Sequence, residues 1–214
     1  MCFEIYDCPL GIYSSSKCAT KSIPGRVRDF PEVGLKKCMN CGVTIHDQDL
    51  RSIVDYSTGS MHGWKNMDTK EHDVPEEDCE RRLRDVTRLC ESFGFKTILD
   101  FGSGKGQMLE ILSKNFSVTG LEPEKLARDQ CTKSGFQVYS DFPEIINSRV
   151  DFDVVVLFHV IEHLYNPKET LTDIYNLLPV GGIIIIETPN ADDALLTLYK
   201  NLSFANFTYW SHHP

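Results

Sequence analysis

The chain has 214 residues, 41% of them hydrophobic, which suits one sizeable core with a small appendage. A formal net charge of -9 and a pI near 5.2 give no general attraction for phosphate backbones or anionic lipid, so nucleic acid is disfavoured as a partner. No run approaches the roughly 20 apolar residues of a membrane span, and MCFEIYDCPL lacks the basic and apolar regions of a signal peptide; a soluble, cytoplasmic protein with no membrane partner is expected.

Residues 1–73 are rich in Ser, Gly, Pro and Cys and carry only short apolar runs. They read as a small Cys-rich module and a linker arm, ahead of a main domain over 74–214. In a reducing compartment the eight cysteines are expected as thiols or metal ligands rather than disulfides. LKKCMNCGVTIHD contains Cys38-x-x-Cys41-Gly, half of a zinc knuckle with its glycine placed for the tight turn. The stretch YSTGSMHGW (56–64) offers aromatics that either close over a ligand or line a linker surface.

From Pro75 the pattern becomes helical. Cys79, Leu83, Val86, Leu89, Cys90 and Phe93 recur on one face, with Pro75 suited to the first turn and Gly94 to the C-terminal cap. Alternation follows: strand 97–100, helix about 105–114, strand 116–121, helix 123–134, strand 136–139, and a short helix near 143–147. Strand 152–158, helix 167–178 and strand 183–188 complete it. The runs VVVLF and IIIIE are continuous and apolar, as strands buried on both faces of a parallel sheet must be. The expected fold is α/β, a Rossmann-like doubly wound parallel sheet.

Between the first strand and its helix lies ILDFGSGKGQ. A phosphate-cradling loop needs G-x-x-x-x-G-K-[ST], yet Leu99 stands where the first glycine belongs and Gly106 follows Lys105. A dinucleotide fingerprint needs glycine at 107, where the chain has Gln107. What remains is Asp100, Gly102, Ser103, Gly104 and Gly106, an acidic residue followed by G-x-G-x-G. Such glycines admit a ligand close to the backbone, and Asp100 can take up a cationic amino group. The bland alternative is a tight turn that holds nothing.

This pattern resembles motif I of the class I S-adenosylmethionine-dependent methyltransferases. The resemblance covers about residues 76–204 and includes LLPVGGIIIIETPN; it is closest to the branch holding ubiquinone-biosynthesis O-methyltransferases and sugar-modifying methyltransferases. It implies S-adenosyl-L-methionine as cofactor and places Glu122, at the end of TGLEPE, on the ribose hydroxyls. Asp141 would meet the adenine amino group with Phe142 packing on the base, the alternatives being a solvated glutamate and a helix cap. YDCPLG resembles the first of two zinc knuckles that begin many members of the sugar-modifying branch, but lacks its second cysteine. Cys8, Cys18, Cys38 and Cys41 would complete a four-thiolate zinc site, with His46 and Cys2 as substitutes and reduced cysteines in a small core as the alternative.

Strand four delivers FHVIEHLYNP, and its carboxyl end is where open α/β sheets bind ligands. Phe158 would line the cofactor, and His159, Glu162 and His163 would face the transferring methyl group. Methyl transfer to a hydroxyl needs alignment and removal of one proton, which a histidine can accept. Some relatives hold a divalent metal through E-x-x-E-H; here His159 replaces the first glutamate, which suits Mg²⁺ poorly. Base, metal ligand and pocket wall therefore stay open for these three residues.

The family sheet usually ends in two further strands, and none is expected within these residues; Asn190 and Asp193 start a helix that continues over 195–204. Either the chain is a fragment or a shortened family member, or a partner, such as a second copy in a homodimer, covers the exposed edge of strand five. His212 and His213 would be remnants of an acceptor wall. The function that follows is methyl transfer to a small-molecule acceptor, a nucleotide-linked or polysaccharide-precursor sugar, at oxygen more than carbon. Its rivals are a non-catalytic binding or regulatory module and a nicotinamide-dependent oxidoreductase.

Overall fold

The computed structural model describes residues 4–7, 17–28, 30–48 and 74–208. The chain divides into two compact units: residues 1–54, 161–171 and 188–214 form one, and residues 55–160 and 172–187 form the other. The segments 56–64 and 209–214, with His212 and His213, lie outside the described residues.

In the larger unit, helix α1 (Glu76–Phe93) begins after Pro75 and is closed by Gly94, whose N–H bonds the Cys90 carbonyl. Strands β5 (Thr97–Phe101), β6 (Ser117–Leu121), β7 (Val138–Tyr139), β8 (Val154–Phe158) and β9 (Ile183–Glu187) form one parallel sheet in the order β7-β6-β5-β8-β9. The order reverses between β5 and β8, which opens the crevice of a doubly wound sheet at the carboxyl ends of these two strands. Ile98, Leu99, Val154, Val155, Val156 and Leu157 are wholly buried, because these central strands have helices on both faces. Helices α2 (Gln107–Leu112), α3 (Lys125–Lys133), α4 (Phe142–Ser148) and α5 (Pro167–Leu177) connect the strands. Among the described residues β9 pairs only with β8, and no strand follows it.

Several boundaries move for local reasons. The helix expected from residue 105 starts at Gln107 because Gly106 has φ 89°. The next starts at Lys125, since Glu124 caps it by accepting the Ala127 N–H at 2.7 Å. The single helix expected over 195–204 is two: α6 (Ala194–Thr197) and α7 (Leu202–Thr208). Lys200 at φ 48° breaks it, and Asn201 restarts it by accepting the Phe204 N–H at 2.9 Å.

The smaller unit carries a four-stranded antiparallel meander, β1 (Glu4–Asp7), β2 (Lys17–Arg26), β3 (Gly34–Cys38) and β4 (Thr44–His46). Val27, Val33 and Leu35 form its small core. Pro24 and Gly25 lie inside β2 at a register shift between Ile23 and Arg26, a bulge that accommodates the missing proline N–H.

Because Leu99 is fully buried at the centre of the parallel sheet, Leu99→Ala should lower stability by about 2–5 kcal/mol, read as a fall in the urea midpoint with an unchanged slope.

Candidate active site

The glycine turn leaves β5 and is bonded back to the end of β6. The Gly102 and Ser103 N–H groups both donate to the Leu121 carbonyl, at 2.8 and 3.0 Å, and Gly106 N–H donates to the Ser103 carbonyl at 2.9 Å. Two glycines are required sterically. A Cβ on Gly102, at φ 81°, would stand 2.5 Å from Val160 Cγ2, and one on Gly106 would stand 2.8 Å from Cys131 Sγ. Cys131 supports the turn from below, its thiol donating to the Gly104 carbonyl at 3.2 Å. Burial, then the charges of Glu122 and Asp100, push that thiol up to about 12, so it stays protonated.

Glu122 ties the turn to the next loop. Its carboxylate accepts the Gly104 N–H on Oε2 and the Glu124 N–H on Oε1, both at 2.8 Å. The side chain is 7% exposed, and burial raises its carboxyl while the two N–H bonds pull it back. Asp100 is 3% exposed, and its Oδ2 has no hydrogen-bond partner; nor does the buried Ser103 Oγ. Burial pushes the Asp100 carboxyl up to about 7, the Glu122 charge adding to this and Arg82 opposing it. Two buried unpartnered oxygens at the mouth of a glycine turn are what a polar, cationic ligand would satisfy.

The other expected residues are placed as follows. Asp141 caps α4, its Oδ1 accepting the Glu144 N–H at 3.0 Å and its Oδ2 the Ser140 hydroxyl at 3.1 Å. Phe142 opens α4, its ring tilted against Phe101 at 6.3 Å between centroids. Phe158 ends β8 with the Arg82 guanidinium 4.9 Å above its ring. His159 follows at φ 56°, its Nε2 3.4 Å from Glu187 Oε1. Glu162 and His163 stand in a 3₁₀ turn, Ile161–His163, that belongs to the smaller unit, where Glu162 Oε2 accepts the Thr188 hydroxyl at 3.1 Å.

Cys38 is buried at the end of β3, Cys41 follows in the turn, and Gly42 at φ 79° donates its N–H to the Cys38 carbonyl at 3.0 Å. Cys18 sits in β2 opposite Tyr6, two residues before Thr20, whose Cα pairs with Cys38. Cys8 lies outside the described residues. Among the described residues no three His, Cys, Asp or Glu side chains gather at metal-ligand spacing.

Two residues carry more than their sequence pattern suggested. Gln107, at the position where a dinucleotide fingerprint has glycine, pairs its side-chain amide with the Val74 backbone: Nε2 donates to the carbonyl at 2.7 Å and Oε1 accepts the N–H at 2.8 Å. It fixes the start of α1 to the start of α2. Glu187, the last residue of IIIIE, is gripped by Arg81 and Arg82. The only advance signal for it was a carboxylate ending an otherwise apolar strand.

A family model described as a methyltransferase domain matches residues 71–213. The chain is 30% identical over 113 residues to a ubiquinone biosynthesis O-methyltransferase of Caulobacter vibrioides, covering 49% of this chain and 45% of that protein. The enzyme of the same description from Pectobacterium atrosepticum is 29% identical over 120 residues, or 51% and 49%. The chain thus spans about half the length of the curated relatives it matches. A crystal structure of the plantazolicin methyltransferase BpumL, with a monoazolic desmethylPZN analog and SAH, aligns with a TM-score of 0.50 at 23% identity, over 65% of this chain and 60% of that one, and shares the fold. With the glycine turn, the reversed strand order and a matching family model, this chain belongs to the class I S-adenosylmethionine-dependent methyltransferases.

The Asp100 carboxyl lies above its unfolded-chain value of 3.8, so folding carries a cost that is fully present above about pH 7 and disappears as pH falls below 4. Asp100→Asn should therefore stabilise the chain at pH 8, by on the order of a few kcal/mol, and change little at pH 4. Paired thermal melts at the two pH values check this.

Proposed function

We propose that this chain binds S-adenosyl-L-methionine over the glycine turn and transfers its methyl group to a hydroxyl of a small-molecule acceptor, a nucleotide-linked or polysaccharide-precursor sugar. The single observation that carries the reading is the buried, unpartnered Oδ2 of Asp100 beside the Glu122 carboxylate. When bound, the cofactor supplies an activated methyl on a sulfonium. Asp100 takes up the cationic amino group, which restores its ionised form in a dry setting. Glu122 accepts the ribose hydroxyls on lone pairs left beside its two N–H bonds. Gly102, Ser103, Gly104 and Gly106 line the approach, Ser103 Oγ offering a further hydrogen bond. Asp141, Phe142 and Phe158 serve the adenine end and the wall. His159 accepts the proton released as the acceptor oxygen attacks, a role for which imidazole is suited near neutral pH.

Gln107 argues against the oxidoreductase reading from a physical direction, because its side chain fills with the Val74 backbone bonds what a dinucleotide loop leaves open. In the smaller unit, the turn from Cys38 to Gly42 supports zinc held by Cys38 and Cys41 with Cys8 and Cys18. About one zinc per chain by elemental analysis, with a lower melting temperature after chelation, is the expected result.

Calorimetric titration tests the main reading. S-Adenosylmethionine should bind at micromolar strength, NAD should not, and Glu122→Ala should weaken binding by at least about tenfold. Because only the ionised Asp100 attracts the ammonium group, affinity should rise from pH 6 to pH 8 and level off above about 7. Absence of binding by a folded sample, or affinity that falls over this range, would overturn the reading.

A further inference from the structure

The smaller unit holds a cavity of about 150 Å³, large enough for one benzene-sized ring, between its antiparallel meander and the short helices α6 and α7. Ile23 of β2, Leu196 of α6 and Ala205 of α7 give it apolar walls, and Lys37 of β3, Thr44 of β4 and Lys200 supply its polar side. The close approach of α7 to β2 is set at Gly25, where a Cβ would stand 3.3 Å from Ala205 Cβ. All of these residues belong to the one unit, so the cavity owes nothing to the glycine turn.

Its cations run against the balance of the chain. Residues 17–48 carry six Lys and Arg against three Asp and Glu, in a protein of net charge -9. The register puts Lys21 directly across from Lys37 on one face of the meander, a like-charge pairing that destabilises a sheet unless something negative lies near it. Asp192 meets only part of that need. Its carboxylate lies 2.8 Å from Lys37 Nζ but is 71% exposed, and an exposed pair is weak enough for Lys37 to exchange it for a better partner. Among the described residues neither Lys21 nor Lys200 has a carboxylate within ion-pair reach.

Lys200 adds an independent observation. It takes the left-handed position that closes α6, at φ 48°, with the Asn201 N–H donating to the Leu195 carbonyl at 2.9 Å. Glycine fills such a position at least cost, and any side chain there is strained. What the strain secures is an ammonium-bearing residue at the cavity.

We propose that this cavity binds a small organic anion, a ring-sized apolar body carrying one carboxylate or phosphate, with its charge met by Lys37 and Lys200 and a hydrogen bond from the Thr44 hydroxyl. Aliphatic walls select the body, and the two ammonium groups select the sign of the charge. Inorganic anions lack the body, and neutral or cationic rings lack the charge.

Benzoate and phenyl phosphate are the probes, with benzamide and benzylamine as controls of similar size. In the full chain with labelled methyl groups, at least one of the two anions should shift the Ile23 and Leu196 resonances along a saturable curve of millimolar midpoint or tighter, and comparing them separates carboxylate from phosphate recognition. At these methyls benzamide and benzylamine should bind at least about tenfold more weakly than that anion. Lys200→Gly suits the left-handed backbone, so it should melt no lower than the wild type and yet weaken the anion by about five- to tenfold. No saturable shift with either anion, a control that binds as well as the anion, or unchanged anion affinity in folded Lys200→Gly would overturn the proposal. S-Adenosylmethionine stays out of the titration, so these outcomes are separate from those that test the glycine turn.

Discussion

The site is organised around a conflict of charge. Asp100 and Glu122 stand at the ends of adjacent parallel strands, which the register of β5 on β6 brings level, since Asp100 pairs with Gly120 and Phe101 with Leu121. Both carboxylates are buried, and each would prefer water or a cation. Glu122 is compensated by two backbone N–H groups; Asp100 retains an oxygen with no partner. The apolar centre of the sheet supports this arrangement, because Ile98, Leu99, Val154, Val155 and Val156 are wholly buried around it. A polar site of this kind is stable only as a small exception within a large apolar core.

The two charged clusters of the larger unit are opposites. Around Asp100 and Glu122 there is excess negative charge and an unpartnered acceptor, which favours a cationic visitor. Around Glu187 two guanidinium groups grip one carboxylate with three hydrogen bonds, which favours fixed geometry. One cluster stores binding capacity and the other removes motion. Arg82 connects them: it bonds Glu187 directly and its charge partly relieves Asp100.

The parallel sheet was legible in the sequence because its information is local. Continuous apolar runs, glycine punctuation and the helical spacing of Cys79, Val86 and Cys90 each declare an element without reference to a distant residue. Asp100, the glycines and Glu122 were legible for the same reason, lying at fixed offsets around one strand-turn-helix. The grip of Arg82 on Glu187 spans 105 positions and the pairing of Gln107 with Val74 spans 33, so no window of sequence contains either. The meander in the smaller unit was missed for a different reason. Pro24 and Gly25 announce a turn, whereas the fold uses them in a bulge inside β2, and its core is only a few aliphatic side chains. The helix over 195–204 breaks at Lys200, whose left-handed backbone closes α6 locally, the Asn201 N–H donating to the Leu195 carbonyl at 2.9 Å, although lysine announces no such cap.

Gln107 shows how one residue can separate related folds. In a dinucleotide loop the third glycine lets helix and strand pack closely near a pyrophosphate. Here that position spends its side chain on the Val74 backbone, so the chain before α1 is pinned next to the glycine turn by two hydrogen bonds. The turn itself closes one residue earlier, at Gly106, over the Cys131 thiol. Beside this turn two carboxylates, Asp100 and Glu122, flank the ends of β5 and β6. Negative charge from Asp100 and Glu122 repels a pyrophosphate and attracts an ammonium or sulfonium group, while the neutral Gln107 acts by packing, its amide committed to the Val74 backbone.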